Sequence, residues 1–266
     1  MTPEEVAEAC SALSGEAVLE ARRLAGGSSL PSWRVRAATG AYAARLYPDA
    51  RPVYGQARLF NYLKRQGFPV PGVAFVGSYG DRHLLALEWL GGLTVAEALQ
   101  ADPERSWELG QAFGRTHAQL HAVPVTDEMR QNLPTLGLDP CPPPVLVHLD
   151  YHLLNVLTDG ETVTGVIDWE NVRLGSARHD VARTLSILCA DPNVRALPRP
   201  LRRTVRTFRR GYLEGYRSRA GPGSLAELAP FLAWAGAFML RDLEGRLEPL
   251  AAGTLRRWSG RFRSRA

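Results

Sequence analysis

Asp150, Asn155 and Asp168 stand in the order Asp-x4-Asn-x12-Asp within the stretch VLVHLDYHLLNVLTDGETVTGVIDWEN, which runs from Val145 to Asn171. A carboxylate, an amide and a second carboxylate in that order suit phosphoryl transfer. The reaction needs a partner for the acceptor hydroxyl and oxygen ligands for a metal that neutralises a triphosphate; the rest is positioning and electrostatics. On this reading Asp150 accepts the hydroxyl proton, while Asn155 and Asp168 supply oxygens to Mg²⁺. Glu170 is a further candidate metal ligand, a substrate contact or the cap of the following turn. His148 reads as a structural anchor of the loop. His152 beside Asp150 suggests an HxDxH metal motif, but no helical set of hydrolase ligands accompanies it.

Two hairpin ends are expected to bring these groups to one point. Val145-Leu146-Val147 reads as a short buried strand that delivers His148, Asp150, His152 and Asn155 onto a loop. Val156-Leu157 reads as a second strand that enters a turn at Asp159-Gly160. Val163 to Ile167 returns as its hairpin partner, with Asp168 at its end.

Upstream, Val6, Cys10 and Leu13 mark an N-terminal helix followed by an extended segment. Gly26-Gly27-Ser28-Ser29 then precedes an alternating strand, Trp33 to Ala37. Glycines in a turn between strands let backbone N–H groups approach a phosphate, although an ordinary hairpin loop fits the same residues. Ala41 to Tyr47 reads as the next strand, with Tyr42, Ala44 and Leu46 on one face and Arg45 on the other. Tyr54 to Gln66 reads as a helix, and Val73 to Val76 and His83 to Trp89 as two further strands. The second of these is nearly all apolar and is expected to be central. Gly91-Gly92 is a natural hinge, and the domain boundary is set near Glu88 to Gly92.

Beyond it, Thr94-x-x-Glu97 is a capping-box pattern that opens a short helix. Trp107 to His121 follows as a longer one. Its His117 and His121, at i and i+4, could ligate a metal, but no acidic or cysteine partner is evident, so a satisfied core pair is expected. Pro124 to Pro144 reads as a proline-rich connector. After Asp168, helices are expected over His179 to Leu188, over Leu201 to Tyr216 and over Leu225 to Leu247, and the tail RRWSGRFRSRA is expected to fray at its end. The helix from Leu201 carries Arg202, Arg206, Arg209 and Arg210 on its polar face, read as a solvated surface.

The 266 residues, 45% of them apolar, can build one large or two modest domains around a proper core. No run of about eighteen apolar residues occurs, and the N-terminus is acidic, so neither a membrane span nor a secretory signal is read and the cytoplasm is the expected compartment. Cys10, Cys141 and Cys189 are scattered without CxxC spacing and are taken as free thiols. The net charge of +5 is uneven: from Val181 onward 17 arginines face 6 acids, and Lys64 is the only lysine. Such a balance favours anions over polycations as partners.

His148-Leu149-Asp150 with Asn155, followed by Ile167-Asp168-Trp169-Glu170, resembles the aminoglycoside phosphotransferase and choline kinase family, and the resemblance covers most of the chain. It implies an α+β, two-lobed, protein-kinase-like fold. A small N-terminal antiparallel β lobe with one helix would span residues 1–90, and a larger, mainly helical lobe residues 91–266. It also implies ATP or GTP with Mg²⁺ as cofactors, and transfer of the γ-phosphate to a hydroxyl of a small molecule. Gly26, Gly27, Ser28 and Ser29 then fall in the nucleotide-covering loop and Arg45 at the phosphates. Leu87-Glu88-Trp89-Leu90 falls at the adenine-binding hinge, with Glu88 and Leu90 as its contacts. Asp180, in Arg178-His179-Asp180, corresponds to a helix-borne carboxylate that ties down the catalytic loop.

The chain departs from the family at three places. Arg45 replaces the lysine common to kinases, and its planar fork can hold two phosphate oxygens. Gln56 stands where many relatives have a glutamate paired with that basic residue. Leu153-Leu154 replaces a Pro-Gly before Asn155. The basic C-terminal half favours a small hydroxylated metabolite over a polycationic aminoglycoside as acceptor. Trp169, Tyr212, Tyr216 and Trp234 offer either an aromatic surface for a sugar or amine, or core packing. The expected partners are a nucleotide and a small hydroxyl acceptor, with no membrane; nucleic acid is disfavoured and is kept as a third reading, through the arginine-rich C-terminal helix, and the oligomeric state stays open. The alternative is a nucleotide-binding regulator without transferase activity, motivated by Gln56 and the altered loop.

Overall fold

A computed structural model of the chain describes residues 2–24, 31–137, 143–243 and 249–263. The Gly26 to Ser29 loop and Cys141 lie outside the described residues. The chain divides into two compact units, Met1–Gly91 and Gly92–Ala266.

In the first unit, helix α1 (Pro3–Ser14) opens with a reciprocal cap, in which Thr2 Oγ1 accepts the Glu5 N–H and the Glu5 carboxylate accepts the Thr2 N–H. Strands β1 (Val18–Arg23), β2 (Ser32–Ala37) and β3 (Ala41–Tyr47) follow, then α2 (Ala50–Arg65), β4 (Val73–Tyr79) and β5 (Arg82–Glu88). The strands form one antiparallel sheet in the order β1-β2-β3-β5-β4. Alternation along the strands covers both faces of the sheet. Trp33, Val35, Ala44, Leu46, Leu84 and Ala86 pack with Val6, Ala9 and Cys10 of α1. Tyr47 and Leu85 pack with Val53 and Ala57 of α2. Strand β5 is apolar at successive positions because it lies between β3 and β4 with a helix on each face. Helix α2 begins at Ala50, four residues before its expected start, because Asp49 is extended and the helical turn forms on Ala50 to Val53.

In the second unit, β6 (Leu93–Thr94) leads into α3 (Val95–Ala101), whose Thr94 and Glu97 form the expected capping box. Next come α4 (Ser106–His121) and α5 (Asp127–Asn132). The connector is therefore partly helical, with Thr126 Oγ1 capping α5 through the Met129 N–H. Strands β7 (Val145–Val147), β8 (Val156–Thr158), β9 (Val163–Val166) and β10 (Arg173–Gly175) are short. Strands β8 and β9 are the expected hairpin, extended by β6. Strand β7 pairs instead with β10, Val147 facing Arg173, so the loop after β7 is not a hairpin end. This corrects the two-hairpin expectation: β7 and β8 lie in different sheets and the loop 148–155 crosses between them.

Helices α6 (Ala177–Ala190), α7 (Pro192–Ala196), α8 (Arg199–Ala220), α9 (Ala229–Asp242) and α10 (Pro249–Arg263) complete the unit. The tail is helical as far as Arg263: α10 packs on α9, Leu255 is buried, and Ser259 Oγ donates to the Ala233 carbonyl; the end expected to fray, 264–266, lies outside the described residues. Helices α4 and α8 make the closest helix pairing. A Cβ on Gly110 or Gly114 would fall onto the carbonyl oxygens of Phe208 and Tyr212, and one on Gly211 or Gly215 onto those of Trp107 and Gln111. Two Gly-x3-Gly rows thus let the backbones touch. That approach carries the side chains of Tyr212 and Tyr216 to His117 and His121, with hydroxyl–Nδ1 distances of 3.0 and 2.7 Å.

Candidate active site

The loop after β7 turns through Leu149, which has φ +61°. A leucine in the left-handed region costs on the order of 1–2 kcal/mol, so other contacts must hold it there. Helix α6 supplies them. Asp180 accepts the N–H groups of His148 (Oδ2, 2.6 Å) and Leu149 (Oδ1, 2.7 Å). Arg183 Nε donates to the Leu149 carbonyl at 3.2 Å, and Thr184 Oγ1 to the Tyr151 carbonyl at 2.8 Å. Positions i, i+3 and i+4 share one face of a helix, so three side chains of α6 grip four backbone groups of the loop. Arg183 and Thr184 escaped the sequence reading. Their signal was present: Asp180-x2-Arg183-Thr184 is a polar set at helical spacing inside an otherwise apolar seam.

Asp180 is fully buried, and burial works against its charge, but His117, His121 and hydrogen bonding outweigh it and hold the carboxyl well below its ordinary range. Its Oδ2 lies 3.1 Å from His117 Nε2 and 3.2 Å from His121 Nε2. Asp180 is thus the acidic partner that the sequence did not reveal for the histidine pair. His117 is pushed down to about 4, chiefly by burial, and stays neutral at pH 7. Its Nε2–H then faces Asp180 while Nδ1 accepts the Tyr212 hydroxyl. Donor atoms of His117, His121 and Asp180 lie within 4.8 Å of one another, as in a metal site. Both Asp180 oxygens already receive backbone N–H groups, and the two histidines pack in the core as a pair, His117 Nε2 being held beside Asp180 by the ion-pair geometry rather than by a well-formed hydrogen bond.

Asp150 follows, with 22% of its side chain exposed. Its carboxylate accepts from Asn155 Nδ2 at 3.1 Å, and the same nitrogen also reaches the Asp150 carbonyl. Burial opposes ionisation of Asp150, but the His152 imidazole, 3.5 Å away, together with His148 and Arg183, outweighs it, and the carboxyl titrates below its ordinary value. His148 is buried, receives the Asp150 N–H on Nδ1 (3.2 Å) and so donates from Nε2 to the Ile167 carbonyl (3.1 Å). Burial pushes its pKa down, which keeps this neutral tautomer. It is the loop anchor that the sequence suggested. The turn 152–155 closes through Asn155 N–H to the His152 carbonyl, with Leu153 and Leu154 both at negative φ. No glycine is needed there.

Ile167 joins the loop to the third residue of the set. Its N–H donates to the Asn155 carbonyl at 2.9 Å and its carbonyl accepts from His148. Asp168 comes next, with φ +63°, a second left-handed non-glycine residue at the end of β9. Trp169 is buried against His148 and donates from Nε1 to the Val166 carbonyl. Glu170 begins the following turn, partly exposed. Asp150 and Asn155 are therefore in direct contact, and Asp168 is tied to Asn155 through one residue. Among the described residues, Asn155 Oδ1 accepts no hydrogen bond. Hard oxygen donors of this kind fit Mg²⁺.

In the first unit, Arg45 lies on the α2 face of β3, and its Nε donates to Ser32 Oγ at 2.6 Å across the β2–β3 ladder. Gln56 of α2 accepts the Tyr47 hydroxyl at 2.9 Å, a neutral bond at the position where relatives carry an acid. Glu88 ends β5 and receives Lys64 Nζ at 2.7 Å and the Gly72 N–H at 2.9 Å; Lys64 chiefly holds its pKa below the ordinary value. Its side chain serves the unit's own framework.

A model of the phosphotransferase enzyme family matches residues 20–140 and 125–228, and the chain belongs to that family. No curated protein sequence gives a significant match. Among solved structures, the chain is similar to a thermostable mutant of the aminoglycoside phosphotransferase APH(4)-Ia, with a TM-score of 0.69 and 16% identity over 98% of this chain and 99% of that one. It is also similar to spectinomycin phosphotransferase APH(9)-Ia in complex with ADP and spectinomycin (TM-score 0.60, 14% identity, 97% and 94% covered). A chain assigned as a fructosamine-3-kinase from Thermobifida fusca matches with a TM-score of 0.59 and 19% identity over 98% and 100%. The fold is the kinase-like α+β fold of these enzymes, and the protein is a small-molecule phosphotransferase. Among the described residues, no helix is long and apolar enough to cross a membrane.

Proposed function

We propose that the enzyme transfers the γ-phosphate of ATP, or of GTP, to a hydroxyl of a small hydroxylated metabolite. Asp150 orients the hydroxyl and takes its proton. The low pKa of Asp150 suits a loose transition state, in which the proton leaves late and orientation matters more than base strength. Asn155 Oδ1 and the Asp168 carboxylate, with Glu170 as a further candidate, would hold Mg²⁺, which when bound neutralises charge on the triphosphate. Arg45 and Gly26 to Ser29 receive the phosphates, and the backbone at Glu88 and Leu90 receives the nucleotide base.

The observation that carries this reading is the division of the Asn155 amide: its nitrogen is spent on Asp150 while its oxygen accepts nothing among the described residues. The preference for a metabolite over a polycation rests on charge, 17 arginines against 6 acids from Val181 onward. It also rests on burial: Trp169, Tyr212 and Tyr216 are 2%, 0% and 1% exposed, which leaves only Trp234 of the four, half-buried against His179 and Phe238, and one ring does not make an aromatic face for a cation. An ADP-release screen across sugars, amino alcohols, amines and antibiotics, with Asp150→Asn as control, tests it. Asp150-dependent release with a neutral or anionic metabolite is expected. Release confined to aminoglycosides would overturn the acceptor class; bound nucleotide with no release on any acceptor would favour a regulator.

A further inference from the structure

The arginine excess is concentrated in one place. Arg195 of α7 and Arg199, Arg202, Arg203, Arg206 and Arg209 of α8 converge on a cleft of 480 Å³. Leu188, Val194 and Val205 form its apolar floor. Among the described residues, none of the six guanidinium groups pairs with a carboxylate. The contacts two of them make are with neutral acceptors, Arg202 with the Arg195 carbonyl at 3.5 Å and Arg209 with Cys189 Sγ at 2.8 Å. The first turn of α8 carries no acid, so the positive end of the helix dipole adds to the cluster.

Six positive charges without a carboxylate partner repel one another, and a multiply charged anion relieves that repulsion. A solvated helix face needs no concavity. Here α7 and the C-terminal end of α6 wall the arginine row into a recess, within the range of roughly 300–1,000 Å³ common to small-molecule sites. Guanidinium forks match phosphate oxygens two at a time. Among the described residues no aromatic side chain lines the cleft, so stacking of nucleic-acid bases finds no platform there. We infer that this cleft is a binding site for a small, multiply phosphorylated molecule, separate from the phosphoryl-transfer site. Leu188 and Cys189 stand eight and nine residues beyond Asp180 on α6, about 12–14 Å along the helix from the loop it holds.

Calorimetric titration at physiological ionic strength, with tripolyphosphate and inositol hexakisphosphate as probes, tests the site. Binding with a Kd below about 1 mM is expected for at least one probe. Arg202→Ala/Arg206→Ala should weaken it about tenfold or more, and Arg202→Lys/Arg206→Lys, which keeps the charge and loses the forks, by less. Asp168→Ala should leave probe binding unchanged, which separates this site from the nucleotide site. Absence of binding, equal affinity in the alanine variant, loss in Asp168→Ala, or tighter binding of duplex DNA than of either probe would overturn the proposal.

Discussion

Asp180 accepts the Leu149 N–H at 2.7 Å, and one turn later on the same helix Arg183 donates to the Leu149 carbonyl at 3.2 Å. Both polar backbone groups of a residue held at φ +61° are thus satisfied from α6, immediately before Asp150. Helix α6 therefore acts as the support on which the loop's unfavourable conformation rests. Arg183→Met keeps the apolar stem and removes the donor. It should lower stability by roughly 1–3 kcal/mol, the range for a buried polar group that loses its partner. It should also lower kcat about tenfold while the nucleotide KM stays unchanged, because a loosened Leu149 misplaces Asp150 without touching nucleotide. Urea unfolding and steady-state kinetics read the two effects; unchanged kcat would contradict the supporting role.

The buried histidines make stability depend on pH in a defined window. His117 takes up a proton only near pH 4 in the folded state, whereas an unfolded imidazole does so near pH 6.5. Between those values the unfolded chain binds more protons, so stability is fully present above about pH 6.5 and is lost as pH falls toward 4. His148, depressed in the same direction, adds to the slope. Asp180, also depressed, contributes only below its ordinary value of 3.8. Unfolding free energy measured in urea should fall by on the order of 1–3 kcal/mol from pH 7 to 4.5. A His117→Gln variant should show a shallower slope, and a slope as steep as that of the parent would contradict the assignment.

Glycines at the α4–α8 contact and in α2 should respond with opposite sign. Gly114→Ala and Gly215→Ala force a methyl into a facing backbone carbonyl and should destabilise by roughly 2 kcal/mol or more. Gly55→Ala, in α2 with open space around it, should stabilise by about 0.5–1 kcal/mol. Thermal unfolding of the three variants decides it. A neutral Gly114→Ala would mean that α4 and α8 do not touch as closely as described.

Much of this arrangement was legible in the sequence wherever the signal is local. Alternation in Trp33 to Ala37 and Ala41 to Tyr47, the Thr94–Glu97 capping box and the 3.6-residue period of α4 and α8 are short-range patterns, and each produced its element. The Asp150, Asn155 and Asp168 set was legible because its members lie on one continuous stretch. Long-range pairing was not. Strand β7 chose β10 over β8, a choice between two apolar segments that neither segment encodes alone. Asp180 reached His117 and His121 only through tertiary packing, and Tyr212 and Tyr216 reached them through glycines in two helices far apart in sequence. Tyr212 and Tyr216, which looked like candidates for an aromatic surface, proved to be core because those glycines draw them inward. The last helix failed as an expectation because its arginines masked one buried stripe, Leu255 and Ser259.

In the proposed reaction Asp150 serves the acceptor hydroxyl while Asn155 and Asp168 serve the metal. The most direct measurement compares nucleotide binding and turnover in Asp150→Asn and Asp168→Ala. Asp150→Asn should bind ATP with Mg²⁺ nearly as the parent does, while turnover on the acceptor falls by about 10²- to 10⁴-fold, the range for a positioned acid or base. Asp168→Ala should instead lose Mg²⁺-dependent nucleotide binding. Normal turnover in Asp150→Asn, or intact Mg²⁺-dependent binding in Asp168→Ala, would contradict the division of roles.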